Sequence, residues 1–365
     1  MAPGPTTSTP AQGPRLGIDL VSRVLGTVLD TVRALPDLAA SKARLPGALV
    51  KSEIGQRVVG FANGAFGERA APRGDTLPAA MSVRLDHRRL RLDRASLAAA
   101  YPSAKGCLVV LLHGLVDTER SWFRTDGFGR GRSGADIGSK LATALSCTPV
   151  YVRYNSGRHV SDNGRELADL LDTLVDRWPV EVTDVVLIGH SMGGLVARSA
   201  VHQAHARASR WSPLVTRLVC LGTPHAGAPL ERVVARTAAL LGRIRPAAPL
   251  SWLLGLRSDG IQDLAEGYLH EHQWAEQSGV EQVETTLPDG VRQLYVSATL
   301  SRSRDSVLGR VVGDLMVEPA SAADPGQNAE LRWLGGLTHF DLLRHDTAHQ
   351  TLIDWLGSPG ANRRW

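Results

Sequence analysis

The stretch Val185-Val186-Leu187-Ile188-Gly189-His190-Ser191-Met192-Gly193-Gly194-Leu195-Val196-Ala197 constrains this 365-residue chain more than any other. Its first four residues predict a buried strand. Leu195, Val196 and Ala197 open a helix, and a G-x-S-x-G turn joins the two. A serine hydroxyl is a weak nucleophile, so a protein that uses one must expose it beside a general base and preorganised N–H donors. A sharp strand-to-helix turn does the exposing. Gly189 and Gly193 leave room for it because they carry no side chain that would clash around the bend. Ser191 is therefore the candidate nucleophile.

Apolar strands and helices alternate around this turn. Cys107–Leu112 is all apolar, and further core strands are predicted at 150–154, 185–188, 217–221 and 294–298. Helices are predicted at 162–178, where Asn163 and Glu166 have capping-box spacing, and at 195–206. A β-hairpin is predicted from 81–85 and 90–92. Continuous apolar strands alternating with helices imply an α/β fold with a mostly parallel sheet covered on both faces. Ligands in such sheets sit at the carboxyl ends of the strands, where Ser191 falls. The stretch 226–290 is too long for a plain connection. Its helical patches at 233–241 and 250–256, with Trp252 and Trp274, read as a cap inserted over the site.

Before the sheet, residues 1–14 are rich in Pro, Thr and Gly and are expected to be a disordered tail. A helical extension follows at 15–70. Ile18, Val21, Leu25, Val28, Val32 and Leu35 recur at helical spacing, and Leu49, Val50, Ile54, Val58 and Phe61 repeat the pattern after Pro46. The linker at 70–78 leads into a main domain at 77–358. Amphipathic helices of this kind pack on their own domain, meet a second copy, or adsorb to a lipid interface. The oligomeric state is left open.

Composition limits the partners. The formal charge is +5, but the basic residues are scattered among acids, without the clustered face or reader motif that nucleic-acid binding requires. Cys107, Cys147 and Cys220 are odd in number and irregularly spaced, which is no disulfide framework. No apolar run reaches the roughly 18 residues of a membrane span, and the N-terminus lacks the basic and apolar regions of a signal peptide. A cytoplasmic protein, with peripheral membrane contact open, is the expectation. No metal-ligand spacing and no phosphate-cradling glycine loop appears, so no cofactor or metal is expected.

Five motifs occur in one order. They are Leu111-Leu112-His113-Gly114-Leu115, the Gly189 to Gly193 turn, Gly222-Thr223-Pro224-His225-Ala226-Gly227, Gly313-Asp314 with Val317 and Ser321, and Thr338-His339-Phe340-Asp341. In them the chain resembles α/β-hydrolases of the lipase and esterase type, close to the bacterial lipase-like and PGAP1-like enzymes. The resemblance runs over about residues 77 to 357.

That fold orders its triad serine, acid, histidine. The resemblance thus implies His339 as base, ahead of a helix at 341–356 that would hold His345 and His349, with His225 shaping the site wall. It implies Asp314 as the acid, although Leu315 stands where the family has glycine; Asp305 and Asp324 are the alternatives. Leu115 and Met192 would supply the oxyanion N–H groups. Leu115, Val116, Trp122, Met192, Trp252 and Leu253 would wall an acyl-binding pocket, although core packing explains each of them equally. The implied activity is hydrolysis of a carboxylic ester or lipid substrate without a cofactor. A thioesterase or acyltransferase with the same triad, or a binding protein that kept the fold alone, are the other readings.

Overall fold

Six consecutive apolar residues cannot alternate between water and core, so β3 (Cys107–Leu112) lies in the middle of the sheet, with a parallel neighbour on each side. The computed structural model describes residues 64, 80–115, 117–123, 135–225, 227, 258–275, 287–299, 301 and 329–358, all in the second of two compact units, Val59–Trp365. The expected N-terminal tail, both N-terminal helices and the linker lie outside the described residues. So do Val116, Trp252, Leu253, Asp305, Asp314 and Asp324.

The sheet has eight strands in the order β2-β1-β4-β3-β5-β6-β7-β8. β1 (Ser82–Leu85) and β2 (Arg88–Arg89) form a hairpin, its second strand falling before the predicted 90–92 because the turn is only two residues long. Its two-residue turn puts Asp86 and His87 at φ 45° and 66°, the left-handed pair that suits the twist of the flanking strands. β1 runs antiparallel to β4 (Thr148–Arg153). From β4 onward every pairing is parallel, through β3, β5 (Asp184–His190), β6 (Val215–Leu221), β7 (Arg292–Thr299) and β8 (Ala329–Gly335).

Alternate side chains of the central strands feed two separate cores. Leu108, Val110, Leu112, Leu187, Leu218 and Tyr295 pack with α3 (Val160–Arg177) and α4 (Met192–Ala206). Val109, Leu111, Val186, Ile188, Val219 and Leu294 face the other way, onto α2 (Ile137–Leu145) and α7 (Asp346–Gly357). Helices therefore cover both faces, as the strand pattern requires. With the elbow at the carboxyl end of β5, this is the α/β-hydrolase fold. The remaining described helices are α1 (Arg94–Ala100), α5 (Asp259–Glu266) and α6 (Glu271–Ala275).

Two helix starts also differ from the sequence pattern. α3 begins at Val160, so Asn163 lies inside the helix rather than capping it. The first turn is capped from a distant element: the Val160 N–H donates to an Asp263 carboxylate oxygen of α5 at 2.7 Å. Asn163 is buried and donates to the Asn155 and Arg158 carbonyls, at 2.9 and 3.3 Å. Likewise α7 starts at Asp346. His345 is its N-cap, accepting from the Thr347 N–H at 3.2 Å, and a separate turn at Asp341–Leu343 precedes it.

The segment after β3 is anchored by a buried ion pair. Arg153 donates from Nε and Nη2 to both oxygens of Glu119, at 2.5 and 2.7 Å, with each side chain almost fully buried. Burial alone would raise the Glu119 pKa, but hydrogen bonds from His87 and Arg153 outweigh it and pull the carboxyl down to about 2. Breaking such a pair leaves one buried charge uncompensated. Glu119→Gln is expected to destabilise the protein by about 3 kcal/mol, read as a lower urea midpoint with an unchanged slope.

Candidate active site

Ser191 sits between β5 and α4 at φ 53° and ψ −124°, a backbone conformation that a residue with a side chain adopts only when its surroundings impose it. Here they do. The Ser191 N–H donates to the Leu221 carbonyl of β6 at 2.8 Å. Its own carbonyl accepts from the Gly194 N–H and the Thr223 hydroxyl, each at 3.0 Å. The flanking glycines are needed for space: a Cβ on Gly189 would lie 2.3 Å from the Gly193 carbonyl carbon, and one on Gly193 2.6 Å from the Leu112 and His113 carbonyls. Strand, bend and helix thus interlock with β3.

The loop after β3 is set by His113. Its Nδ1 bonds the Gly114 carbonyl at 2.9 Å, and because a carbonyl only accepts, Nδ1 carries the hydrogen. Nε2 is then the acceptor for the Tyr154 N–H at 3.2 Å. The Tyr154 hydroxyl donates back to the His113 carbonyl at 2.7 Å, and the two rings stack at 4.3 Å. The Gly114 carbonyl also accepts from the Asp117 N–H. In a trans peptide the next N–H points away from the carbonyl, so a fixed Gly114 oxygen fixes the direction of the Leu115 N–H. The loop lies against the elbow, since a Cβ on Gly114 would be 3.2 Å from the Ser191 Cβ. Met192, the first residue of α4, is fully buried.

His339 arrives from the loop between β8 and α7. The Leu337 N–H donates to the Thr299 carbonyl at 3.0 Å. Thr338 donates from its N–H and hydroxyl to the Asp341 carboxylate, at 2.8 and 2.7 Å. The His339 ring packs on Gly222, the residue after the Leu221 carbonyl that holds Ser191. A Cβ on Gly222 would come within 2.9 Å of the ring, and Gly222 has φ 60° besides, so both space and backbone demand glycine there. Elbow, β3 loop and His339 therefore meet at the carboxyl end of the central strands.

The other sequence-predicted residues have distinct places. Leu115 is half-buried against the α3–α4 core. Trp122 is fully buried in the opposite core, with Ile137 and Leu141. His225 is buried against Tyr295, ring centroids 4.0 Å apart, and its Nδ1 accepts from Arg198 at 2.7 Å. Burial, then the Arg198 charge, holds it well below the usual histidine range. None of Cys107, Cys147 and Cys220 is in a disulfide. Phe340, 50% exposed, meets the His339 ring edge-on at 5.6 Å and was not singled out from sequence. Gly260 of α5, inside the stretch read as a cap, lies against the Met192 side chain. Among the described residues no group of His, Cys, Asp and Glu could hold a metal ion, and no helix is long and apolar enough to cross a membrane.

The His113 lock sets a pH dependence. Burial lowers its pKa from the ordinary 6.5 to about 4, so the folded state binds the neutral ring and the unfolded state takes up a proton first. The contribution is complete above pH 6.5 and is lost as pH falls toward 4. At about 1.4 kcal/mol per unit, the loss approaches ~3 kcal/mol. Melting temperatures measured from pH 7 to 4 should fall across this window, and His113→Asn should flatten that slope.

The family model described as a PGAP1-like alpha/beta domain matches residues 153–244, which hold the end of β4, the whole elbow and β6. No curated protein matches the chain. Among solved structures it is similar to the mature lipase BlEst2 of Bacillus licheniformis, at 20% identity and TM-score 0.46, covering 68% of this chain and 91% of that one. A lipase-esterase related protein of Clostridium acetobutylicum shares 13% identity at TM-score 0.40, over 70% and 95% of the two chains. The Pyrococcus furiosus esterase Pf2001 shares 13% at TM-score 0.41, over 70% and 82%. The chain thus resembles the PGAP1-like hydrolases through the segment that carries Ser191, on an α/β-hydrolase fold.

Proposed function

We propose that the protein is a serine hydrolase of carboxylic esters, of the lipase or esterase type, that needs no cofactor. The observation that carries this reading is the strained Ser191 elbow, held between the β3 loop and the His339 loop. Ser191 Oγ attacks the ester carbonyl while His339 takes its proton. Asp314 orients the imidazole and balances its charge. The N–H groups of Leu115 and Met192 receive the oxyanion, and two preorganised donors of this kind contribute several kcal/mol to the barrier. His339 then protonates the departing alcohol, leaving an acyl group on Ser191. A water, deprotonated by His339, releases the acid and restores the serine.

Among the described residues, apolar surface for an acyl group lies beside His339. Phe340 presents its exposed ring beside the base. Val116, Trp252 and Leu253 are proposed to complete the pocket, with Trp122 backing it from the core. A medium or long acyl chain is the proposed substrate class. The N-terminal helices are proposed as a peripheral contact with the membrane that would supply such lipids.

A panel of p-nitrophenyl esters of increasing acyl length tests the reading. Wild type is expected to turn over the longer esters and to be labelled by a fluorophosphonate on Ser191 alone. Ser191→Ala should abolish labelling and reduce kcat by about 10⁴-fold or more, since loss of the nucleophile removes the covalent route. Activity within tenfold of wild type in that variant would remove Ser191 from the chemistry.

A further inference from the structure

The residue immediately before the nucleophile is absorbed by none of the roles above. His190 closes β5 and is 1% exposed, yet it is an imidazole rather than an aliphatic residue. Its Nε2 bonds the backbone carbonyl of His339 at 3.2 Å. A carbonyl only accepts, so Nε2 carries the hydrogen and Nδ1 bears a lone pair. That Nδ1 is buried without a hydrogen-bond partner, in contact with Gly114 of the β3 loop: a Cβ there would lie 3.1 Å away. The ring itself packs on the His339 ring, centroids 4.6 Å apart, and lies 6.5 Å from Phe340. One side chain thus touches the loop of the base and the loop of the oxyanion donor, from a main-chain position adjacent to the serine.

On these contacts we infer that His190 is a positioning residue, which holds the His339 backbone in register with Ser191 through its Nε2–H. The inference rests on the hydrolase reading for its consequence in rate, while the contact itself does not. Burial, and after it the neighbouring His339, keeps His190 neutral, so the ring donates one hydrogen and brings no second charge beside the base. A purely structural role fits the site poorly. An apolar side chain would fill the same space without stranding Nδ1, whose burial without a partner opposes folding. What an apolar residue would lack is the donor to His339. Interlocking at this point matters because an error of about 1 Å in a catalytic group can cost on the order of 100-fold in rate.

The test uses the full chain and two variants, His190→Leu, which removes the donor, and His190→Gln, whose amide can return an N–H near the Nε2 position. With p-nitrophenyl butyrate, His190→Leu is expected to lower kcat by about 10-fold to 100-fold with KM within twofold and a melting temperature close to wild type. His190→Gln should recover most of the loss. Imidazole ¹⁵N NMR supplies the second measurement: wild type should show a neutral Nε2–H ring for His190 and one sharp set of signals for His339, which broadens or doubles in His190→Leu. Unchanged kcat together with an unchanged His339 signal in His190→Leu would overturn the inference, as would an Nδ1–H tautomer in wild type. Should wild type neither hydrolyse the ester nor take a fluorophosphonate, the hydrolase reading fails, and the NMR comparison still decides whether His190 holds the loop.

Discussion

The structure depends on one bond, the 2.8 Å hydrogen bond from the Ser191 N–H to the Leu221 carbonyl. A left-handed serine followed at once by a helix is a conformation costing of order 1–3 kcal/mol, and it persists because β6 accepts its N–H while Gly194 and Thr223 hold its carbonyl. The same strand end then supplies Gly222, whose missing side chain makes the seat for the His339 ring. Ser191 and the His339 ring are thereby referred to a single point on the sheet. The central parallel strands are buried on both faces and are the part of the fold least able to yield.

Three buried neutral imidazoles surround this point, and each has its tautomer set by a partner that can act only one way. A carbonyl fixes His113 as Nδ1–H, a carbonyl fixes His190 as Nε2–H, and the Arg198 guanidinium fixes His225 as the Nδ1 acceptor. Burial drives all three below the ordinary histidine pKa. The three rings therefore add no positive charge of their own near neutral pH.

Much of this was legible in the sequence because it is written in local pattern. The strands at 107–112, 185–188 and 217–221 are apolar on both faces, a signal that only a doubly covered parallel sheet satisfies. Ser191 could be read from glycines whose necessity the backbone contacts now explain. What escaped the sequence depends on distant partners. The start of α3 is set by Asp263, a residue 103 positions away. Asn163 has the spacing of a cap yet serves buried carbonyls inside the helix. β8 escaped because it ends the strand order and none of Ala329–Gly335 is buried: Leu331 and Arg332 are exposed, so it carries no continuous apolar run. α2 escaped because its apolar side is short, Ile137 and Leu141, and its N-cap, Asp136, is also the partner of Tyr151.

The distribution of well-satisfied and poorly satisfied groups over the fold follows from the same logic. Away from the site, helix starts are capped by side chains that suit them, Asp93 on α1, Asp136 on α2 and Ser258 on α5. At the carboxyl ends of the strands, by contrast, stand a left-handed serine, a polar nitrogen of His190 without a partner, and another of His225. Each of these opposes folding. A strained backbone at the candidate nucleophile is the pattern expected where a fold trades stability for a preorganised site. The rigidity that holds the strain comes from the sheet below it. The cost is therefore borne by the same packing that gives the site its geometry, and relaxing one would loosen the other.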